Sequence, residues 1–588
     1  MIDPYRMIIV NSIVLLALCL GVLFYRYIYP KRKVNLFVLL LLISMLPLIS
    51  ILRSGAYESG DFTIHIYRIM SFYDSLKEGI FMPSWAAELN ASYGNPLFIF
   101  NYSFSYYLIS LFHFIGLSFI ASTKLYLGLN LFLSGIFMYI LVRELTGNKL
   151  AAFTSSIFYL FNPYHLVDIH FRATLGESTI FTIAPLVLYF LTKYFKKKQL
   201  IFLTLSSLFT FLLFLAHPLL ALIFVSITSL YVLFWGYVNK NFRLSILAII
   251  SLVVGSISAF YTVISFPLYA PYTFPHPAGT QGISSEIFYN FNYLFYSPWR
   301  YGFLFQGHQG ELALIIGYTQ LCIMLGAVFL LFKKIGPSQN RLQLLFWILL
   351  FFFFLLLMHP ASQIFWKFFP SLWMLLPFGR LSLALALCTS LIAGYFTLLF
   401  STSKTKKRII YILILMTIIS TILNWGHRKV IPEINDTYLR QGVWKSTLTE
   451  GTTAYFLNNK WADINHFWFS ELPKNHLEIL KGEATIKELK RTSTKHLYII
   501  DAETPLTIRE NTLYFPGWFL KSNDKLITIY PGERGVINAK LPQGLQYIEV
   551  AYDDILEYKI SKIISVTIFL SLVTLLTFQF IRLKIKRE

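Results

Sequence analysis

The chain has 588 residues, 56% of them apolar and only 13% charged, about half the charge that dresses a soluble domain. That excludes a soluble globular enzyme and any disordered or fibrous class. Lys and Arg outnumber Asp and Glu by 50 to 29, a formal charge of +21, which would suit nucleic acid unless the basic residues have another role.

A helix needs about 20 apolar residues to cross a bilayer. Thirteen candidate spans are read near 7–29, 34–52, 122–142, 149–163, 178–195, 199–216, 219–237, 244–268, 311–332, 342–358, 380–400, 409–425 and 559–581. The first ends in Arg26-Tyr27-Ile28-Tyr29-Pro30 rather than in a small-residue cleavage site, so it reads as a span and not as a signal peptide. Residues 103–116, rich in Tyr and Phe, read as an interfacial or re-entrant helix on the outer face. Basic clusters at Lys31–Lys33, Arg143 with Lys149, Lys196–Lys198, Lys240 with Arg243, Lys333 with Arg341, Lys404–Arg408 and Arg582–Arg587 fall on every second connection. The positive-inside rule makes those connections cytoplasmic, with the N-terminus outside a cell membrane and the C-terminus inside. The charge is thereby explained as topology, and no nucleic-acid partner is expected. Cys19, Cys322 and Cys388 sit in separate apolar runs and form neither a disulfide framework nor a metal motif.

Three outer connections are long: 53–121, 269–310 and 426–558. The last has ordinary charge density. It reads as a mixed α/β segment at 440–500 followed by a small β-sandwich with strands near 512–515, 525–530, 535–540 and 546–552. The expected architecture is an all-α polytopic domain over 1–425, an extracytoplasmic domain over 426–558, and a final span with a basic tail over 559–588.

Candidate chemistry lies on the outer side. In Gly60-Asp61-Phe62-Thr63-Ile64-His65-Ile66-Tyr67-Arg68, a helix starting at Gly60 puts Asp61, His65 and Arg68 on one face at i, i+4 and i+7. A first-turn carboxylate is favoured by the helix dipole and is expected to stay ionised. Asp61 is then a candidate base or metal ligand, His65 a second ligand or proton carrier, and Arg68 an anion binder; the alternative is a simple helix cap. The short loop 163–178 carries His165, Asp168, His170, Arg172 and Glu177, a dense set for a connector at a membrane edge. Arg300, after Ser297-Pro298-Trp299, and Arg380, after Pro377-Phe378-Gly379, could grip a phosphate or else snorkel to headgroups. His217-Pro218 and His359-Pro360 read as helix stops. No P-loop, dinucleotide fingerprint or His-Glu-x-x-His motif occurs.

This order of motifs resembles the glycosyltransferase C superfamily. Gly60-Asp61 through Arg68 looks like its acidic first-loop motif, and Asn95-Pro96-Leu97, Tyr106-Tyr107-Leu108, Val142–Gly147 and Phe161-Asn162-Pro163 are similar to its loop, span and turn series. Within it, Arg172, Gly176-Glu177, Ser297-Pro298-Trp299 and Tyr514-Phe515-Pro516-Gly517-Trp518 resemble YfhO-type and 6-pyruvoyl-tetrahydropterin synthase-related membrane proteins. The resemblance implies a sugar moved from a polyprenyl-phosphate donor to an acceptor outside the cytoplasm. It casts Asp61 as base or metal ligand and Glu177 as a second carboxylate near the acceptor. His65, Arg68, His170, Arg172, Arg300 and Arg380 would bind substrate, with a divalent metal on Asp61 and His65 as a further option. The competing readings are a lipid-linked glycan transporter and a non-catalytic envelope-assembly protein. The topology is checked by thiol labelling of intact cells: a cysteine placed in the 426–558 domain reacts with a membrane-impermeant maleimide, and one placed at Lys406 does not.

Overall fold

The computed structural model describes residues 3–273, 288–289, 291–295, 316–369, 372, 379–425, 430–441, 459–461 and 472–585. Seven helices are long and apolar enough to cross a membrane: Arg6–Ile28, Phe119–Thr146, Leu175–Lys197, Pro218–Val238, Ser338–Met358, Ser382–Phe400 and Leu556–Ile585. An eighth crossing is broken, Phe242–Ser258 and Phe260–Tyr272 meeting at 53°. Gly255, Ser256 and Ser258 precede the break, the residue types at which helices kink. The chain is a multi-pass membrane protein.

The remaining expected spans are helical where described but short. Leu36–Leu48, Ile201–Ala216 and Tyr318–Phe332 are apolar and below spanning length. Lys149–Leu160 has 12 residues, about 18 Å of rise, and it ends where Asn162 and Pro163 start a new helix. A count of thirteen full crossings is therefore not reached by single helices among the described residues. Phe104–Phe114 has 11 residues, about 16 Å, too short to cross. In the most apolar 18-residue stretch of Leu175–Lys197 and of Ser382–Phe400, 89% of the residues are buried within the chain, against 17% and 11% in Arg6–Ile28 and Leu556–Ile585. The helix carrying Glu177 thus runs through the protein interior, and the terminal helices lie at the rim.

The C-terminal part is a sandwich of two antiparallel sheets. One runs Leu477–Lys481, Leu506–Leu513, Val536–Leu541, Ile529–Pro531; the other runs Ala484–Arg491, Lys495–Ala502, Gly544–Tyr552, Trp518–Ser522, Lys525–Ile527. Of the stretch 440–500 expected as mixed α/β, the described part from 477 forms strands, and the short helix Asp436–Arg440 ends at its start. The residues 442–458 and 462–471 of that expectation lie outside the described residues. Lys495–Ala502 alternates buried and accessible positions, as a strand with one face on a core does.

The sandwich core is completed by the first outer loop. Trp85, 1% exposed, packs with Trp518 at 5.3 Å and Tyr552 at 5.6 Å between ring centroids. The Tyr93 carbonyl accepts the Leu513 N–H at 2.8 Å, and Ala56–Tyr57 pairs antiparallel with Val430–Ile431. Lys562, on the last crossing, donates to the Met82 carbonyl at 2.9 Å and to Ser84 Oγ at 2.8 Å while pairing with Asp554 at 2.7 Å. Truncating a buried Trp costs about 3–5 kcal/mol. Trp85→Ala is accordingly expected to make the strands between 477 and 552 sensitive to limited proteolysis at concentrations of protease that spare the parent protein.

Candidate active site

The site begins where the Lys149–Leu160 helix stops. Asn162 caps the next turn by accepting the Tyr164 N–H at 3.0 Å, and the chain widens into a π turn over Asp168–Arg172. It leaves through Ala173 in a left-handed conformation (φ 57°), a costly one for a residue with a Cβ. Such insertions commonly re-aim side chains at functional sites. Here the turn brings Asp168, Arg172 and Glu177 together. Arg172 Nη1 lies 2.6 Å from Asp168 Oδ1 and 2.9 Å from Glu177 Oε2, and its Nη2 lies 2.8 Å from Glu177 Oε1. The Tyr164 hydroxyl accepts from Arg172 and donates to Glu177, both at 2.8 Å. Arg380 Nε reaches Glu177 Oε1 at 3.3 Å. Asp168, Arg172 and Glu177 are 0%, 5% and 2% exposed.

This loop holds the first outer loop by its backbone. The Gly60 and Asp61 N–H groups donate to the Phe171 and Arg172 carbonyls, both at 2.8 Å. The Phe62–Lys77 helix then starts with Asp61 at its cap position, yet the Asp61 side chain makes no capping hydrogen bond. The Ser59 hydroxyl accepts the Phe62 N–H at 3.2 Å instead. Asp61 is half-buried, and its carboxylate has no hydrogen-bond partner among the described residues. The cap alternative is thus filled by another residue. Burial pushes the Asp61 pKa up from 3.8, against the opposing pull of Arg172 and Arg68.

His65, one turn on, is 3% exposed. Its Nδ1 faces the Tyr106 hydroxyl at 3.3 Å, and that hydroxyl accepts from Asn101 Nδ2 at 2.9 Å. Burial, with the nearby Arg68 charge, pushes its pKa down to about 3, so the ring stays neutral. As a divalent-metal site the Asp61–His65 pair does not fit. No group of three or more His, Cys, Asp or Glu side chains among the described residues could hold an ion, and the Arg68, Arg172 and Arg380 charges act on Asp61, which disfavours a dication beside it.

The structure therefore brings together Asp61, Arg68, Arg172, Glu177 and Arg380, with His65 one turn below. His170 is directed elsewhere: it is fully buried, with Nδ1 3.4 Å from Ser50 Oγ, which also bonds the Trp425 carbonyl. Arg300 lies outside the described residues. Glu177, expected as a second carboxylate near an acceptor, is bonded to Arg172, Tyr164 and Arg380.

Sequence reasoning gave no site role to Tyr164, Tyr102, Tyr106 and Asn101. Tyr102 and Tyr106 are within electrostatic reach of Asp61, and Tyr102 stacks on His217 with centroids 5.2 Å apart. In sequence they blend with interfacial aromatics. Gly176 carries the one local signal, because a Cβ there would stand 2.6 Å from the Ala216 carbonyl and 2.9 Å from the Tyr102 ring.

No family model matches the chain. It is 23% identical over 249 residues to an uncharacterised protein of Lactococcus lactis subsp. cremoris (strain MG1363), an alignment covering 41% of this chain and 40% of that one. Among solved structures it is similar to a mycobacterial arabinofuranosyltransferase, AftD, at 14% identity and a TM-score of 0.41, covering 66% of this chain and 26% of that one. It is also similar to an Archaeoglobus fulgidus oligosaccharyltransferase tethered to an acceptor peptide, at 13% identity and a TM-score of 0.43, covering 75% of this chain and 59% of that one. The chain thus spans well under two thirds of each of these proteins, and at TM-scores below 0.5 the functional reading falls to the site itself.

Removing one partner of a buried ion pair costs about 3–5 kcal/mol. Arg172→Met leaves Asp168 and Glu177 without their shared cation, and it is expected to lower the thermal unfolding midpoint of the detergent-solubilised protein, measured by intrinsic fluorescence, far more than Arg68→Met does.

Proposed function

We propose that the protein is a membrane glycosyltransferase that moves a sugar from a polyprenyl-phosphate donor to an acceptor outside the cytoplasm, at a site built around Asp61. The observation that carries this reading is the contrast between two carboxylates. Glu177 is bound by two arginines and a tyrosine, while Asp61, two backbone hydrogen bonds away, has no side-chain partner among the described residues. A carboxylate kept unpaired and half-buried beside guanidinium groups suits a general base facing an anionic leaving group.

In this reading the acceptor hydroxyl gives its proton to an Asp61 carboxylate oxygen as its own oxygen bonds to the anomeric carbon of the donor sugar. The bond from that carbon to the phosphate oxygen breaks, and the polyprenyl phosphate leaves with the electron pair. Arg68 and Arg172 stabilise the charge that develops on it, and Arg380 assists from the other side of Glu177. Glu177 fixes Arg172 and Arg380 in place without taking part in proton transfer. His65, neutral and bonded to Tyr106, holds the helix face and supplies no charge. The outer face of a cell membrane, with the N-terminus outside and the C-terminus in the cytoplasm, is the side on which the reaction takes place. The YfhO-type relationship belongs to this proposal too, as a resemblance of motifs.

General-base assistance is worth about 10²–10⁴-fold. Asp61→Asn is expected to lower transfer of radiolabelled sugar in isolated membranes by at least that lower bound with insertion and expression unchanged, since the Asp61 side chain makes no capping hydrogen bond and the amide has the same shape; near-parental transfer would show that Asp61 is not the base. The pH profile gives a second check. The base form of Asp61 is lost as pH falls through a pKa raised above 3.8, so kcat/KM is expected to decline on the acid side at a higher pH than an ordinary aspartate would give, and an acid limb at or below the ordinary value would contradict the assignment.

A further inference from the structure

The short helix Leu36–Leu48 spans roughly 20 Å of a hydrocarbon core about 30 Å thick. The chain turns at its end, where the Ile51 and Leu52 N–H groups donate to the Leu48 carbonyl at 2.9 and 3.1 Å, and it enters the first outer loop at Arg53. The neighbouring crossing Phe119–Thr146 is left partly uncovered there. Between the two lies a groove of about 690 Å³, a size that takes an organic ligand, since such pockets hold about 300–1,000 Å³. It follows the crossing from Lys124 to Phe132, about 12 Å of helix.

The floor of the groove is apolar and its mouth is basic. Leu48, Leu52, Leu125, Leu129 and Phe132 line it. Leu52, Leu125 and Leu129 are exposed, and Leu125 and Leu129 belong to a helix that crosses the membrane, so their neighbours are lipid chains. Gly128 opens the wall: a Cβ there would lie 3.7 Å from Leu48 Cδ2, and a longer side chain would take up the groove. The charged residues of the lining are Arg53 and Lys124, with no carboxylate among them. Lys124 donates to the Arg53 and Gly55 carbonyls. Those bonds use two of the three N–H groups of an ammonium and leave the third for a ligand oxygen.

The fold itself fixes the mouth. Gly55 has a φ of 83°, and a Cβ on it would stand 2.5 Å from Pro432 Cα. The loop therefore lies flat against the segment whose Val430–Ile431 strand pairs with Ala56–Tyr57. A phosphate at Arg53 and Lys124 with an acyl chain on the leucines satisfies both halves of the groove. A free anion would leave the apolar floor empty, and a zwitterionic headgroup would bring a cation of its own to a basic mouth. The polyprenyl donor is a different lipid. It must present its sugar to Asp61, and the charged residues that act on Asp61, namely Arg172, Arg68, Glu177 and Arg380, line no part of this groove.

We infer that the groove between Leu36–Leu48 and Phe119–Thr146 is a binding site for one anionic phospholipid of the surrounding bilayer, its phosphate at Arg53 and Lys124 and one acyl chain along Leu125 and Leu129, independent of sugar transfer at Asp61. The test is native mass spectrometry of the full chain released from detergent micelles that contain palmitoyl-oleoyl phosphatidylglycerol or the matching phosphatidylcholine. One phosphatidylglycerol is expected to stay bound per chain, and phosphatidylcholine at least about fivefold less. Ser54 is exposed and lines the mouth, so Ser54→Glu adds a carboxylate there without removing a contact. It is expected to lower phosphatidylglycerol retention about fivefold, the effect of one charge at a lipid surface, whereas Ser54→Gln retains the lipid. Gly128→Leu, which fills the groove, is expected to lose it as well; where gel filtration shows that variant misfolded, the Ser54 pair alone decides. Asp61→Asn is expected to bind the lipid in full, whatever its effect on transfer. The inference is overturned if the two lipids are retained equally, if Ser54→Glu behaves as Ser54→Gln does, if inorganic phosphate displaces the lipid, or if undecaprenyl phosphate displaces it at equal concentration, which would make the groove the donor's.

Discussion

The arrangement depends on one buried cation. Arg172 sits between Asp168 and Glu177 at 2.6 and 2.8 Å where the packed chain screens all three from water. An isolated charge there is prohibitive, so the side chains must be paired and hydrogen-bonded. Satisfying Arg172 fixes the rest: the π turn that brings Asp168 within reach, the Tyr164 hydroxyl that closes the network, and the Arg380 guanidinium drawn to the same carboxylate. Because the Arg172 carbonyl also receives the Asp61 N–H, the same residue sets the position of the helix that carries Asp61. Rigidity in the second outer loop is passed to the first through backbone bonds, which tolerate far less slack than side-chain contacts.

The two carboxylates differ in environment. Glu177 accepts from Arg172, Tyr164 and Arg380. Asp61 is near the same positive charges but accepts no side-chain hydrogen bond among the described residues, and Ser59 takes the capping bond. Proton-transfer groups are commonly made from pairs of like residues whose surroundings separate their behaviour.

Much of the architecture was legible in the sequence, and the illegible parts share a cause. Apolar runs marked the long membrane helices, and alternation marked the strands Lys525–Ile527, Ile529–Pro531, Val536–Leu541 and Gly544–Tyr552, because both patterns are local. Asp61 stood out through its position after Gly60, and Arg172 and Glu177 through their crowding in a short loop. Three things stayed hidden. The short helices Leu36–Leu48, Lys149–Leu160 and Tyr318–Phe332 read as full spans because hydropathy registers what is apolar, and a helix buried inside a bundle is as apolar as one facing lipid. Glu177 and Asp61 could not be told apart, since pairing with Arg380 links positions 203 apart in the chain. His170, two residues after the π turn's start, looked like part of the site until the turn aimed it at Ser50.

The closure of the sandwich core by Trp85 and Tyr93 has a consequence for how the protein is made. The strands that receive these rings extend to Tyr552, so some 460 residues separate the Tyr93 carbonyl from the last strand of the sheet core. At about 5–20 residues per second, a ribosome needs about 20–90 s to supply them. Through that interval the first outer loop has emerged on its side of the membrane with a large indole unburied. The final shape of that loop awaits these strands, and Lys562, which bonds to it from the Leu556–Ile585 helix, follows them in the chain.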